Sequence, residues 1–223
     1  MRPGFLAVLL ILSGCSTQPT DTLAKFADDY FAATFEAAPS YATATGIHDF
    51  DAKIEDLSET AVKKRIATLE AQQQRLEAIV KNQKLNADEA LDSEMLQSQI
   101  RAELFETKTL ESWRKNPMGY VGAPGGAIDL LMKRSFAPAK DRLKLVTSRL
   151  RGVPAMVAAM KANVQNPARE FTDLAVRVAG GSVGFFRGTV ATWAKDAAGG
   201  DEALLVDFKI ANEAAKMRCN FKK

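Results

Sequence analysis

Apolar residues recur every three or four positions along almost the whole chain, and alternation of period two is nearly absent. Such spacing puts apolar groups on one side of successive helices and leaves no half-buried strands from which to build a sheet. The expected fold class is all-α: a multi-helix, bundle-like domain with long antiparallel helices. The first helix covers 21–37, with Leu23, Phe26, Ala27, Tyr30, Phe31, Thr34 and Phe35 on one face, Asp21 as its cap and Pro39 as its stop. Residues 38–58 contain Pro39, Gly46 and several acids, and read as a loop with one turn.

Two long helices follow. Ser58 opens one that runs to about residue 84, with the stripe Val62, Ile66, Leu69, Leu76, Ile79 and Val80. Asn86 with Glu89 three residues on is a capping pair. It starts a helix to about residue 114 that is expected to bury Leu91, Met95, Ala102, Phe105 and Trp113. The connection is short, so the pair is an antiparallel hairpin. Asn116-Pro117 and the glycines at 119, 122, 125 and 126 then mark an irregular stretch, with a short helix over 127–132. Pro138 and Pro154 read as the first turns of two separate helices. Asn166-Pro167 is another break, 170–195 is helical in spite of its glycines, and Asp201 caps a last helix.

Several constellations carry possible chemistry. Gly122–Gly126 lacks a preceding strand and a following Gly-Lys-Ser/Thr, so a loop with unusual backbone angles is favoured over a phosphate cradle. Gly180, Gly184 and Gly188 recur every four residues, and each costs a helix about 1 kcal/mol against Ala. Close approach of a second helix is the simplest compensation, in which case Gly184→Leu overpacks the contact. His48 is the sole histidine, so no two-histidine zinc motif is possible within the chain. Asp49, Asp51, Glu55 and Asp56 surround it, but Ile54 stands where a calcium loop needs glycine. The default is a histidine with a structural partner; metal binding by His48 with one acid is the sharper alternative. The net charge of +3 is spread out, and no basic stripe with interleaved aromatics supports nucleic-acid binding.

The N-terminus has a different character. One arginine, the apolar run 5–12 (FLAVLLIL) and the small residues Ser13 and Gly14 lead to Cys15. The run is shorter than the roughly 20 apolar residues needed to span a bilayer, and the sequence of parts is that of a secretory signal. Leu12-Ser13-Gly14-Cys15 resembles the lipobox of bacterial lipoproteins. The resemblance implies cleavage after Gly14 and a diacylglycerol on the Cys15 thiol, with the new amine as a further acylation (palmitate) point. Several chains on one residue suffice for stable attachment. Ser16 in place of Asp implies the outer membrane, with the protein facing the periplasm. The expected organisation is a signal over 1–14, an acylated tether over 15–22, a helical domain over 23–215 and a divergent tail over 216–223. With Cys15 acylated, Cys219 is the one remaining thiol and no intrachain disulfide forms.

The helical part resembles the N-terminal part of the bacterial domain-of-unknown-function 885 family. The residues that carry the likeness are Tyr30-Phe31 with Pro39, then Ala44-Thr45-Gly46-Ile47-His48, then Asp56-Leu57-Ser58. The stretch 92–102, Trp113-Arg114-Lys115-Asn116-Pro117 with Tyr120, and Phe136-Ala137-Pro138 with Arg142, Arg149-Leu150, Pro154 and Asn163 continue it in order. The resemblance implies a longer, mostly helical lipoprotein whose second half carries a His-Glu-x-x-x-x-His-like element, as in zinc metallopeptidases. Two histidines one turn apart can hold zinc, and the Glu can act as general base on zinc-bound water. This chain has none of that element, and its last eight residues depart from the family pattern, so it reads as stopping short of the zinc-binding half. Zinc is expected only in that other half. No catalytic, cofactor or metal residue is carried over, and Cys15 is the one assigned site. Two functional classes follow: the helical portion of a peptidase-like hydrolase, silent alone or docking with a separately encoded second half, and a free-standing periplasmic interaction or ligand-binding lipoprotein.

Overall fold

The computed structural model describes residues 21–219, which form ten α-helices and two π-helical turns, with no strand among the described residues. The chain begins with α1 (Leu23–Ala37), α2 (Pro39–Thr45), α3 (Glu59–Asn82) and α4 (Ala87–Leu104). Leu23, Phe26 and Tyr30 of α1 bury against Leu69, Leu76 and Ile79 of α3 and Leu96 and Ile100 of α4. The hairpin of α3 and α4 forms as expected. Ser58 accepts a hydrogen bond from Ala61 N at 3.2 Å, and Asn86 and Glu89 cap each other reciprocally at 2.9 Å.

Four local expectations for this half are corrected. Thr22, not Asp21, caps α1, accepting from Lys25 N at 3.2 Å. Asp21 is drawn off by Arg75, whose Nε donates to Asp21 Oδ2 at 2.6 Å while Nη1 reaches Asp29 at 2.8 Å. Pro39 follows the end of α1 at Ala37 as expected, but it also opens α2 within the stretch read as a loop, because the first position of a helix needs no backbone donor. The third correction concerns register. α4 buries Ser93, Leu96 and Ile100, while Leu91 and Met95 are each 59% exposed and Phe105 54%. The helix has apolar residues on two opposite sides, and spacing alone could not say which faces the core. It ends earlier too: a π-helical turn, Phe105–Leu110, leads to Glu111 at φ 49°, and Trp113 lies beyond that break in α5 (Ser112–Lys115).

Hydrogen bonds from Arg75 hold the Asp21 carboxyl below its ordinary value. A depressed folded pKa gives stability that is present above the unfolded carboxylate value of about 3.9 and is lost as pH falls through the folded one. The stability gap between the natural chain and Arg75→Gln is thus expected to be full above about pH 4 and to close on further acidification, as read by urea unfolding over that range.

The second half comprises α6 (Met118–Lys133), α7 (Ala139–Asn163), α8 (Arg169–Phe185), α9 (Ala191–Ala198) and α10 (Glu202–Cys219). Its main core joins Ile128 and Leu131 of α6, Val146, Leu150 and Val153 of α7, Phe186 and Val190, and Phe208 of α10. The stretch expected to be irregular is helical from Met118 onward. Tyr120, Val121, Pro124, Ala127, Ile128 and Leu131 are all buried, so packing of this 3–4 stripe outweighs the low propensity of its glycines and of Pro124. Pro154 likewise does not divide two helices: α7 runs unbroken through it. A proline in a helix interior costs about 3 kcal/mol or more. The buried series Val146, Leu150, Val153, Val157 and Met160 on either side outweighs that cost. Arg142 reaches back to close α6, donating to Leu131 O at 3.0 Å and Met132 O at 2.6 Å.

The break at Asn166-Pro167 stands, with Asn166 at φ 46°. α8 then continues through the π-helical turn Phe186–Val190 into α9. The expected helix contact over Gly180, Gly184 and Gly188 is overturned. A Cβ built on any of the three meets nothing within 4 Å, so these glycines face open space. No close approach offsets their propensity cost. Gly184→Ala is accordingly expected to raise stability by about 0.5–1 kcal/mol, visible as a higher urea midpoint.

Candidate functional site

Residues 46–58 run along α7, and that helix satisfies their carbonyls in turn. Ser148 Oγ donates to Ala52 O at 2.7 Å, Arg149 Nε to Lys53 O at 2.9 Å, and Asn163 Nδ2 to Leu57 O at 2.8 Å. Gly152 makes room for Ile54: a Cβ there would lie 2.3 Å from Ile54 Cγ2. These bonds pin a non-repetitive segment to the helix although, Asp51 apart, its residues are exposed or half-buried.

Gly46, at φ 92°, closes α2 and turns the chain toward His48. His48 Nδ1 lies 2.8 Å from Asp51 Oδ2, and its ring stacks on Phe136 with centroids 4.0 Å apart and planes 15° apart. Asp51 is 2% exposed. Its other oxygen accepts from Thr43 Oγ1 at 2.5 Å. Beneath them Arg149 is fully buried, donating to Thr43 Oγ1 at 2.5 Å and Ala127 O at 2.7 Å, with its Nη2 3.8 Å from Asp51 Oδ1. Burial pushes the guanidinium below its ordinary value, and the charges of Asp51 and Glu55 oppose that shift. Arginine stays charged through any such shift.

The acids around His48 separate into different tasks. Glu55 accepts from Ser40 N at 2.8 Å and Ser40 Oγ at 3.0 Å, closing the first turn of α2. Asp56 accepts from Ser58 N at 2.9 Å. Only Asp51 serves His48. His48 Nδ1 faces the buried carboxylate of Asp51, and the histidine side chain is 38% exposed. An imidazole oriented by a carboxylate in this way can act as one ligand of a metal whose other ligands come from elsewhere. Among the described residues no group of three His, Cys, Asp or Glu side chains converges.

Sequence reasoning picked out His48 and Asp51 but missed Thr43, Phe136 and Arg149 as their partners. Arg149 had a visible signal: it is a charged residue at position i+3 from Val146 on the buried stripe of α7. Cys15, with the 1–14 signal and most of the tether, lies outside the described residues. A second feature was not anticipated. A cavity of about 510 Å³ opens between α6, α7 and α8, walled by Val121, Met160, Val164, Ala175 and Val176 with Lys161 and Asp173 at its edge.

A family model described as "Bacterial protein of unknown function (DUF885)" matches residues 39–220. A solved structure of a presumed lipoprotein of unknown function from Shewanella oneidensis superposes with a TM-score of 0.78 at 26% identity, covering 89% of this chain and 36% of that one. The chain thus spans about a third of the length of that relative. No curated protein matches. No described helix is long and apolar enough to cross a membrane.

Proposed function

The chain belongs to the bacterial DUF885 family, and on that premise we propose that it is a lipid-anchored protein of the bacterial cell envelope, held through Cys15, whose helices form the non-catalytic portion of a peptidase-like hydrolase. The observation that carries the anchor is the run of small residues into Cys15 after a short apolar segment, and the similar solved structure is that of a presumed lipoprotein. Ser16 after Cys15 favours the outer membrane over the inner one. Cell fractionation tests the anchor. The natural chain is expected in the membrane pellet and Cys15→Ser in the soluble or unprocessed fraction; equal pelleting of both would reject it.

The hydrolase reading rests on the family resemblance and on the length of the Shewanella relative, nearly two thirds of which has no counterpart in this chain. With one histidine, this chain cannot itself supply a two-histidine zinc element. Its part is to contribute a helical wall, on which His48 is held in one orientation, to a site whose zinc-binding residues lie in the portion of the family that these residues do not span. The purified chain is expected to hold far less than one zinc per molecule and to leave a mixed peptide pool uncut. Stoichiometric zinc with peptide cleavage would assign the chemistry to this chain instead.

One observation favours the second reading, a ligand-binding lipoprotein. The cavity beside Met160 is within the usual size of small-molecule pockets and mostly apolar. Binding of an apolar fluorescent probe at one per chain, lost in Val164→Trp, would support it; binding that survives the substitution would not.

A further inference from the structure

We infer that the outward face of α4 is a docking seam for a basic amphipathic α-helix of a partner protein. This goes beyond the anchor and the hydrolase reading and depends on neither. The face is formed by Leu91, Met95, Ser98 and Ala102 of α4 and by Phe105, the first residue of the π-helical turn that continues it, all exposed. Their spacing is four, three, four, three, the a/d repeat by which one helix receives another side by side. At 1.5 Å per residue the seam is about 21 Å long, enough for two heptads.

Directly opposite lie Ser93, Leu96 and Ile100, buried on α1 and α3. A helix with apolar residues on both sides is built for an interior position, yet one side of α4 has no partner among the described residues. Scattered apolar side chains on a surface need no explanation, but an ordered stripe with a polar rim marks an interface.

The rim chooses the occupant. Asp88, Asp92, Glu94 and Glu106 flank the seam, all exposed, against a single Arg101. The ion pairs of this region join Arg65 to Glu103, Arg75 to Asp21 and Asp29, and Lys108 to Glu70; the four rim acids take part in none of them. A second copy of α4 would set these acids against their own kind, and an anionic bilayer would repel them. A helix with an apolar a/d seam and Lys or Arg at its flanking positions satisfies both the stripe and the rim.

The test uses the purified full chain and two synthetic helical peptides with the same Leu a/d seam, one flanked by Lys and one by Glu. Fluorescence anisotropy is expected to show the Lys-flanked peptide binding about tenfold or more tighter, with a preference that shrinks as salt rises. Met95→Glu is expected to abolish binding and leave the helical circular-dichroism signal and the thermal midpoint unchanged, since the side chain is exposed; Leu91→Glu serves as an independent second variant. Equal affinity for the two peptides, or no binding of either, overturns the inference. So does self-association of the natural chain in sedimentation that Met95→Glu removes, which assigns the face to a second copy, and so does capture by anionic phosphatidylglycerol vesicles through the same residues.

Discussion

Arg149→Ala is expected to lower the free energy of unfolding by about 3–5 kcal/mol, the range for removing one partner of a buried ion pair. Arg149 is fully buried and donates to Lys53 O, Ala127 O and Thr43 Oγ1. Truncation removes those bonds, leaving Lys53 O without the Arg149 donor, and leaves Asp51, at 2% exposure, without this buried counter-charge. Both losses have the same sign, because a buried polar group without a partner carries its full desolvation cost. Urea unfolding followed by circular dichroism measures the change. Adding Asp51→Asn to Arg149→Ala removes the orphaned charge and is expected to restore part of the loss, so the double variant should be less damaged than the sum of the two single ones. A loss below about 1 kcal/mol for Arg149→Ala would mean that residues 46–58 are held by other means.

Gly152→Ala is expected to cost about 1–3 kcal/mol, the range for overpacking a filled interior. Alanine at an exposed helical position would normally be an improvement on glycine, so the sign of this prediction is set by one contact. The added Cβ would lie 2.3 Å from Ile54 Cγ2. That methyl is attached to the branched Ile54 Cβ and cannot swing clear as the end of a long side chain would. The segment that carries His48 must shift off α7 instead. Ile54→Ala removes the obstructing methyl, so it should offset most of the cost when combined with Gly152→Ala, and the coupling energy is read from the four-member cycle of unfolding measurements. The contrast with Gly184 is direct: the same substitution there meets nothing within 4 Å and should stabilise.

The helices themselves were legible because their buried positions follow one period. The stripe Leu69, Leu76 and Ile79 follows from the spacing alone, and so do the caps Ser58 and Asn86 with Glu89. The misread places each had a competing cause. Pro124, Pro154 and the glycines near 122 are poor helix formers, but the tertiary burial of Tyr120, Ile128, Leu150 and Val157 overrides propensity. α4 carries two apolar faces of matching period, so the inward one could not be chosen from spacing. The glycine stripe at 180, 184 and 188 has the pattern of a close contact and no contact. At the candidate site, His48 and Asp51 stand close enough in sequence to be linked, but Thr43, Phe136 and Arg149 reach them from three other parts of the chain. No local pattern joins residues up to about a hundred positions apart, and only the path of α7 beside 46–58 brings them together.

Attachment through Cys15 is tested most directly by the mass of the first peptide of the protein extracted from bacterial membranes. The expected peptide begins at Cys15, lacks residues 1–14 and carries a thioether-linked diacylglycerol, with an added acyl group on its amine. A membrane-extracted chain that still begins at Met1, or one that begins at Cys15 with a free thiol, would contradict it.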